Sequence, residues 1–382
     1  IHRSMAKRVP KAADVHDGGS RFRTVGDGSG IDHDGRFYRE EIQLAFRNRG
    51  IFLEGLRYPI TPTGMHYLLV HFDVPDIDAH RWRLAVGGLV SRPLRMTLDE
   101  IKRRPVETLA VTMECAGNGR ALLNPRPVSQ PWLVEAVSTA EWTGTPLRGI
   151  LEEASVRDEA VELLFTGLDR GVQGDEVQQY ERSLSIEEAM RDEVLLAYEM
   201  NGQPLQPQHG YPLRLIVPGG YGMASVKWLD TITAIAEPFH GYQMDRSYRY
   251  SAEADDPGEP VSLIKVRALM IPPGIPDFLT RTRVVQAGPV VLMGRAWAGR
   301  LEVSKVEVST DGGSTWSEAR LEETTSPFAW RGWSYEWRAS PGRRVLCVRA
   351  TDGKGTTQPV DQSWNFHGMG NNMVQRVDVV VE

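Results

Sequence analysis

Proline and glycine interrupt this chain so often that long helices are excluded: 24 prolines and 37 glycines are spread through 382 residues. Proline fixes φ and lacks the amide donor a helix interior needs, and glycine is entropically unfavourable there. Segments 57–64 and 204–212 therefore read as loops. What helix remains must be short, as at 98–104 and 185–191, the second opened by Ser185 and Glu188 in capping-box spacing. Runs rich in β-formers at 82–86, 109–114 and 161–166 read as strands. The region 36–252 is thus expected to be an α+β domain rather than a series of βαβ units. Beyond the polar, proline-containing break at 255–260, strands dominate. Segments 290–297, 305–310, 335–339 and 345–351 follow one another at sandwich spacing, with Asp311-Gly312-Gly313 supplying a turn. Residues 258–382 are expected to form an immunoglobulin-like β-sandwich, and 1–35 an N-terminal extension.

Composition narrows the function. Hydrophobic residues make up 41% and charged residues 25%, enough for a globular chain of two domains. The balance of 44 Lys+Arg against 50 Asp+Glu gives −6, which removes the electrostatic ground for a nucleic-acid partner. No apolar run reaches the roughly 18 residues of a membrane-spanning helix, so no membrane partner is expected. Two cysteines, Cys115 and Cys347, exclude a disulfide framework, a zinc ribbon and a CxxCH haem motif, so no haem is expected. No apolar signal region is seen before residue 35. With Ile1 to Ser4 taken as a non-native lead-in and Met5 as the start, a cytoplasmic location is expected, or a periplasmic one if an export signal was removed.

The stretch of greatest chemical interest is Val111-Thr112-Met113-Glu114-Cys115-Ala116-Gly117-Asn118-Gly119-Arg120. A strand delivers a cysteine into a turn of small residues, which allow a bulky ligand to approach. A guanidinium five residues on favours thiolate, the form that attacks and that binds metals. The plainer reading is a buried structural cysteine. One thiolate cannot hold zinc unaided, so any metal here must bring other ligands. A second cluster runs through His209-Gly210-Tyr211-Pro212-Leu213-Arg214, Pro218-Gly219-Gly220-Tyr221-Gly222 and Ser225-Val226-Lys227-Trp228. Cations around a glycine-rich turn suit a phosphate, although each taken singly also suits a strand edge or a loop.

These segments resemble the sulfite oxidase family of molybdopterin-dependent oxidoreductases. The resemblance rests on Glu114 to Arg120, Gly167-Leu168-Asp169, Leu195 to Leu205, His209 to Arg214, Val226 to Leu229, Trp364-Asn365 and Asn372 to Val377, all in family order. It implies a sulfite-oxidase-type molybdopterin-binding domain followed by the sandwich, and a homodimer formed through the latter. Cys115 would be the thiolate on molybdenum, a soft ligand for a redox metal. The remaining sulfur ligands would come from the pyranopterin dithiolene. His71, Asp169, His209, Arg214, Ser225 and Lys227 match positions that hold the pterin and its phosphate. Tyr248 matches the active-site tyrosine, and Arg120 an arginine of the anion pocket.

Two departures stand out. An expected substrate-binding arginine falls at Leu69, and another at His367, so the pocket is less cationic than the family pattern. Arg281 and Arg283 are candidates to compensate. The expected activity is oxygen-atom transfer on sulfite or a related small sulfur compound, with electrons passed to an external acceptor such as a cytochrome. The alternatives are the same cofactor acting on an S-oxide, an N-oxide or carrier-bound sulfur, and a cofactor-free binding protein in which Cys115 is structural.

Overall fold

The structure is a computed structural model, and it describes residues 30–32, 37–324, 326–361 and 363–382. The expected N-terminal extension lies, apart from residues 30–32, outside the described residues. The chain is mostly β with few, short helices, so the helical share is smaller than an α+β reading implies. The expected helix at 98–104 is found at Leu98–Lys102, where Thr97 and Glu100 form a reciprocal cap. At Ser185 the box is half formed. The Ser185 hydroxyl accepts from the Glu188 amide at 3.1 Å, but the Glu188 carboxylate pairs with Arg300 instead of reaching back. Two helices escaped the sequence reading, Arg39–Arg47 and Leu147–Ala154. The second buries Leu147, Ile150, Leu151 and Ala154, a helical stripe too brief to stand out among prolines and glycines.

Two sheets build the N-terminal part. In one, Glu107–Glu114 pairs with Val137–Pro146, which pairs with Leu195–Met200; Gln203–Pro204 and Arg214–Ile216 complete it. In the other, the order is Leu94–Met96, Leu84–Gly88, Leu229–Ile235, Glu162–Gln173, Glu176–Ser185. Its single parallel pair joins Leu229–Ile235 to Leu84–Gly88, and the register of Glu162–Gln173 against Glu176–Ser185 breaks between Thr166 and Arg170. That irregularity takes Gly167 to Asp169 out of the ladder and re-aims Asp169, as bulges beside functional sites do.

Beyond residue 260 a four-stranded and a six-stranded sheet face each other across one apolar cluster. Ala268, Leu292, Trp333 and Trp337 from the first meet Val306, Leu346, Val348 and Val379 from the second. The Asp311-Gly312-Gly313 turn is present, with φ of 75° and 97° at the glycines, values that favour residues without a Cβ. Cys347 is buried here, and both cysteines are free. The two parts are not joined by a bare linker. Glu259–Pro260 pairs with Arg249–Tyr250, while Val261, Ile264, Leu269, Trp297 and Trp330 pack into the N-terminal core.

Candidate active site

Strand pairing carries Glu107–Glu114 as far as Glu114 opposite Val137, and the Cys115 amide extends the ladder by donating to Ala136 O at 2.9 Å. The chain then turns: the Asn118 amide donates to Cys115 O at 2.9 Å and the Arg120 amide to Gly117 O at 3.1 Å. Gly119 has φ 92°, and a Cβ there would lie 2.9 Å from the Asn371 side chain, so this turn requires glycine. Residues from beyond 260 close over it. Asn371 Nδ2 donates to Gly119 O at 2.7 Å and the Gly370 amide to Ala116 O at 2.7 Å. Glu114 is clamped as well. Its Oε1 accepts from Asn118 Nδ2 at 2.9 Å and Arg267 Nη1 at 2.8 Å, and its Oε2 from Trp297 Nε1 at 2.8 Å.

Cys115 opens into a cavity between the two parts of the N-terminal core. His71, Asp169, His209, Arg214, Ser225, Lys227 and Tyr248 all line the same cavity. Residues up to 177 positions apart are thus brought together. Arg120 and His367 stand beside the cavity rather than on its wall. Each of the three Arg120 guanidinium nitrogens holds a partner: Nε the His367 carbonyl at 2.9 Å, Nη1 Gln130 O at 3.2 Å, Nη2 Met369 Sδ at 3.4 Å. Arg281 and Arg283 line a separate cavity with Ile51, Phe52 and Val377. Arg283 there donates to the carbonyls of Pro272, Pro273 and Gly274, so neither arginine restores charge beside Cys115.

The electrostatics are those of a positive basin with few counter-charges. Arg214 Nη1 donates to His209 O at 3.0 Å and Nη2 to Ser225 O at 3.1 Å, while its Nε is buried without a partner. Lys227 Nζ donates to Leu69 O at 2.8 Å and Gln208 O at 3.2 Å. Among the described residues neither sits within ion-pair distance of a carboxylate, although Asp169 acts on Lys227 through space. Burial and the Arg214 charge lower the Lys227 ammonium to about 7, and burial raises Asp169 to about 6 against the pull of Lys227. His209 is lowered to about 2 and His71 to about 3, chiefly by burial, so both are neutral near pH 7. Burial pushes the Cys115 thiol above its ordinary value, while the Arg120 charge, as the sequence suggests, and the Gly117 amide pull it toward thiolate.

Two tyrosines and His71 cluster on one side of the cavity. Tyr180 Oη donates to Met223 O at 2.9 Å, and a carbonyl can only accept. His71 Nε2 lies 2.8 Å from Tyr248 Oη, and the His71 and Tyr180 ring centroids are 4.8 Å apart.

Sequence reasoning missed three residues of this site, His66, Tyr67 and Tyr180, and Arg182 beside it. His66 Nδ1 donates to Tyr67 O at 2.9 Å, which leaves Nε2 a bare buried acceptor with no partner, and its ring meets that of His209 at 5.5 Å. No spacing pattern marks His66 or Tyr67. Tyr180 and Arg182 did leave a signal, an arginine two residues from a tyrosine on the buried face of a strand.

The residues fit an anionic group that makes many hydrogen bonds. Among the described residues Arg214 has no ion-pair partner and Lys227 only the nearby charge of Asp169; His66 Nε2, His209 Nε2 and Arg214 Nε lack partners, and a soft sulfur ligand opens into the same space. Comparison with known proteins agrees. Residues 71–243 match the family described as oxidoreductase molybdopterin binding domain, and residues 262–382 the Mo-co oxidoreductase dimerisation domain. The chain is 34% identical over 341 residues to mitochondrial sulfite oxidase of Mus musculus, a match covering 84% of this chain and 62% of that protein. It is 33% identical over 352 residues to the NADH nitrate reductase of Solanum lycopersicum, covering 84% of this chain and 38% of that one. Among solved structures it is similar to the sulfane dehydrogenase SoxCD of Paracoccus pantotrophus, with TM-score 0.72, 27% identity, and coverage of 85% of this chain and 83% of that one. The chain spans less than two thirds of the length of these curated relatives. From its two matched domains and the fold they share, the chain belongs to the sulfite oxidase family of molybdopterin-dependent oxidoreductases.

Proposed function

We propose that this chain transfers an oxygen atom to sulfite or a related small sulfur compound and passes the electrons to an external acceptor. One observation carries the reading: a single cavity joins Cys115 to the buried cations Arg214 and Lys227, with Asp169 as the carboxylate beside Lys227, and to the unpartnered nitrogens of His209 and Arg214. When bound, the molybdenum–pyranopterin supplies a two-electron redox metal able to exchange an oxygen atom with substrate. Cys115 is the protein's thiolate toward that metal. His71, Asp169, His209, Arg214, Ser225 and Lys227 would hold the pterin and its phosphate.

The protein's own residues hold and position charge and protons. The Arg214 fork is already fixed by two backbone carbonyls, so its remaining donor needs no reorganisation to meet an anion. Tyr248 sits at the cavity wall with its hydroxyl 2.8 Å from His71 Nε2, and Tyr180, on the same wall, is fixed by its bond to the Met223 carbonyl. Arg120, its nitrogens engaged by the protein, fixes a charge beside Cys115, and burial lowers His367 to about 4 and keeps it neutral near pH 7.

The C-terminal sheets are read as an immunoglobulin-like sandwich and as the homodimer contact, and the acceptor as a separate molecule such as a cytochrome, no haem being assigned to this chain. One observation favours a second reading. Leu69 on the cavity wall brings no charge, which suits a neutral S-oxide or N-oxide, or carrier-bound sulfur. Metal analysis of protein made in a host that supplies the pterin tests the class: near-stoichiometric molybdenum, lost in Cys115→Ser, is expected. A folded, metal-free protein would leave a cofactor-free binding protein. Saturable, sulfite-dependent reduction of an acceptor, with methionine sulfoxide left untouched, separates the two substrate readings.

A further inference from the structure

One buried cation beside the site has no part in the chemistry above. Arg182, in strand Glu176–Ser185, is 6% exposed. Its Nη1 donates to the Gln243 carbonyl, and its Nε is buried with no partner. Among the described residues no carboxylate pairs with it. Glu162 acts on it electrostatically without forming an ion pair and is committed to the Phe239 amide at 2.9 Å, and Glu181 accepts from Thr166 at 2.9 Å. A buried charge without a partner is costly and marks a place where an anion is meant to complete the balance. The direction in which Arg182 acts is set by its neighbour, for its guanidinium carbon lies 5.5 Å from the centroid of the Tyr248 ring. Tyr248 and Tyr180 line the cavity that holds Cys115. Near that wall Leu69 brings no charge, His367 is neutral, and every Arg120 nitrogen already has a partner.

We propose that Arg182 is a specificity-determining residue. Stacked behind Tyr248, it supplies the positive potential that makes the cavity accept a small sulfur oxyanion in preference to a neutral sulfoxide or N-oxide. The proposal rests on the molybdopterin reading above and adds to it the charge class of the substrate. Removing one unit charge roughly 8–10 Å from an anion at intermediate dielectric weakens binding by about tenfold.

The test uses cofactor-loaded wild-type protein, Arg182→Gln and Arg182→Lys, with molybdenum per chain measured for each and inorganic sulfate titrated by calorimetry. Gln can still donate to the Gln243 carbonyl but carries no charge, whereas Lys keeps the charge without the fork. R182Q should bind sulfate about tenfold more weakly and raise KM for sulfite by a similar factor, with kcat within about twofold. R182K should stay within about threefold of wild type, and methionine sulfoxide should remain unreacted with wild type and R182K. Unchanged sulfate affinity in R182Q, or a loss in R182K equal to that in R182Q, overturns the proposal. Full molybdenum in all three proteins with equal sulfate affinity refutes this proposal alone, whereas wild-type protein without molybdenum refutes the underlying reading as well.

Discussion

Glu114 precedes the proposed metal ligand, and its carboxylate is held by Arg267 and Trp297, both from beyond the 255–260 break. Arg267→Met would test whether the C-terminal part fixes this turn. Both partners are shut off from water, with side chains 1% and 3% exposed. Removing one partner of a buried ion pair costs about 3–5 kcal/mol, because the other charge is left without compensation. Asn118 and Trp297 would still donate to Glu114, so the loss for R267M should fall near the lower figure, about 3 kcal/mol. Glu114→Gln should cost at least as much, since two Arg267 nitrogens, Nε and Nη2, are buried without partners and the carboxylate is its main solvation. The double variant should cost clearly less than the sum, because neither charge is then stranded. Urea unfolding followed by circular dichroism, with the slope unchanged, reads the stability, and molybdenum per chain reads the turn. A loss under about 1 kcal/mol in R267M, or strict additivity in the double variant, would falsify the clamp.

Three further outcomes follow from the same geometry. In cofactor-free protein, His66 and His71 are lowered to about 3 and His209 to about 2, all mainly by burial. Below pH ~6.5 the unfolded chain binds protons that the folded one refuses. Stability is therefore full above that pH and lost on acidification toward pH ~3, by about 1.4 kcal/mol per pH unit for each histidine once the slope is developed. Urea midpoints that stay level between about pH 7 and 5 would contradict this. Lys227→Met removes a buried cation and with it the charge that favours ionised Asp169; the two effects oppose each other, so the cofactor-free protein should unfold close to the wild-type urea concentration, while molybdenum retention drops about tenfold or more. Unaltered metal content would remove Lys227 from the cofactor site. Finally, Phe278 and Leu279 are 84% and 85% exposed within the region matched to the dimerisation domain. Phe278→Asp should yield monomer in sedimentation equilibrium, and an intact dimer would place the contact elsewhere.

What could be read from the sequence was what lies close together along the chain. Cys115 and its turn are contiguous, and so is the run from His209 to Lys227, so their chemistry was visible before any fold was known. Strands at 109–114 and 161–166 were recognisable because a run of β-formers is itself a local property. The Ser185 cap was half misread for the opposite reason: Glu188 is drawn to Arg300, 112 positions away, which no local pattern reports. Arg281 and Arg283 were credible substitutes for the charge missing at Leu69 until the fold placed them on a different cavity.

Arg182 shows most clearly where local reading stops. Its strand places it two residues from Tyr180, but its meaning depends on Tyr248, which arrives from the π-helical turn Gln243–Ser247 and is tied to His71, 177 positions away. That turn is anchored by the same arginine, through the Gln243 carbonyl, and by Gln243 Nε2 donating to Gln173 and Gln178 at 3.0 Å. One residue thus holds the backbone that carries the tyrosine and supplies the charge behind its ring. If charge were its only task, lysine would serve fully; if anchoring were its only task, glutamine would. Comparing the two replacements therefore asks which role selects the substrate, and the unpartnered Nε argues for charge, since an anchoring arginine has no need of a buried donor with nothing to hold.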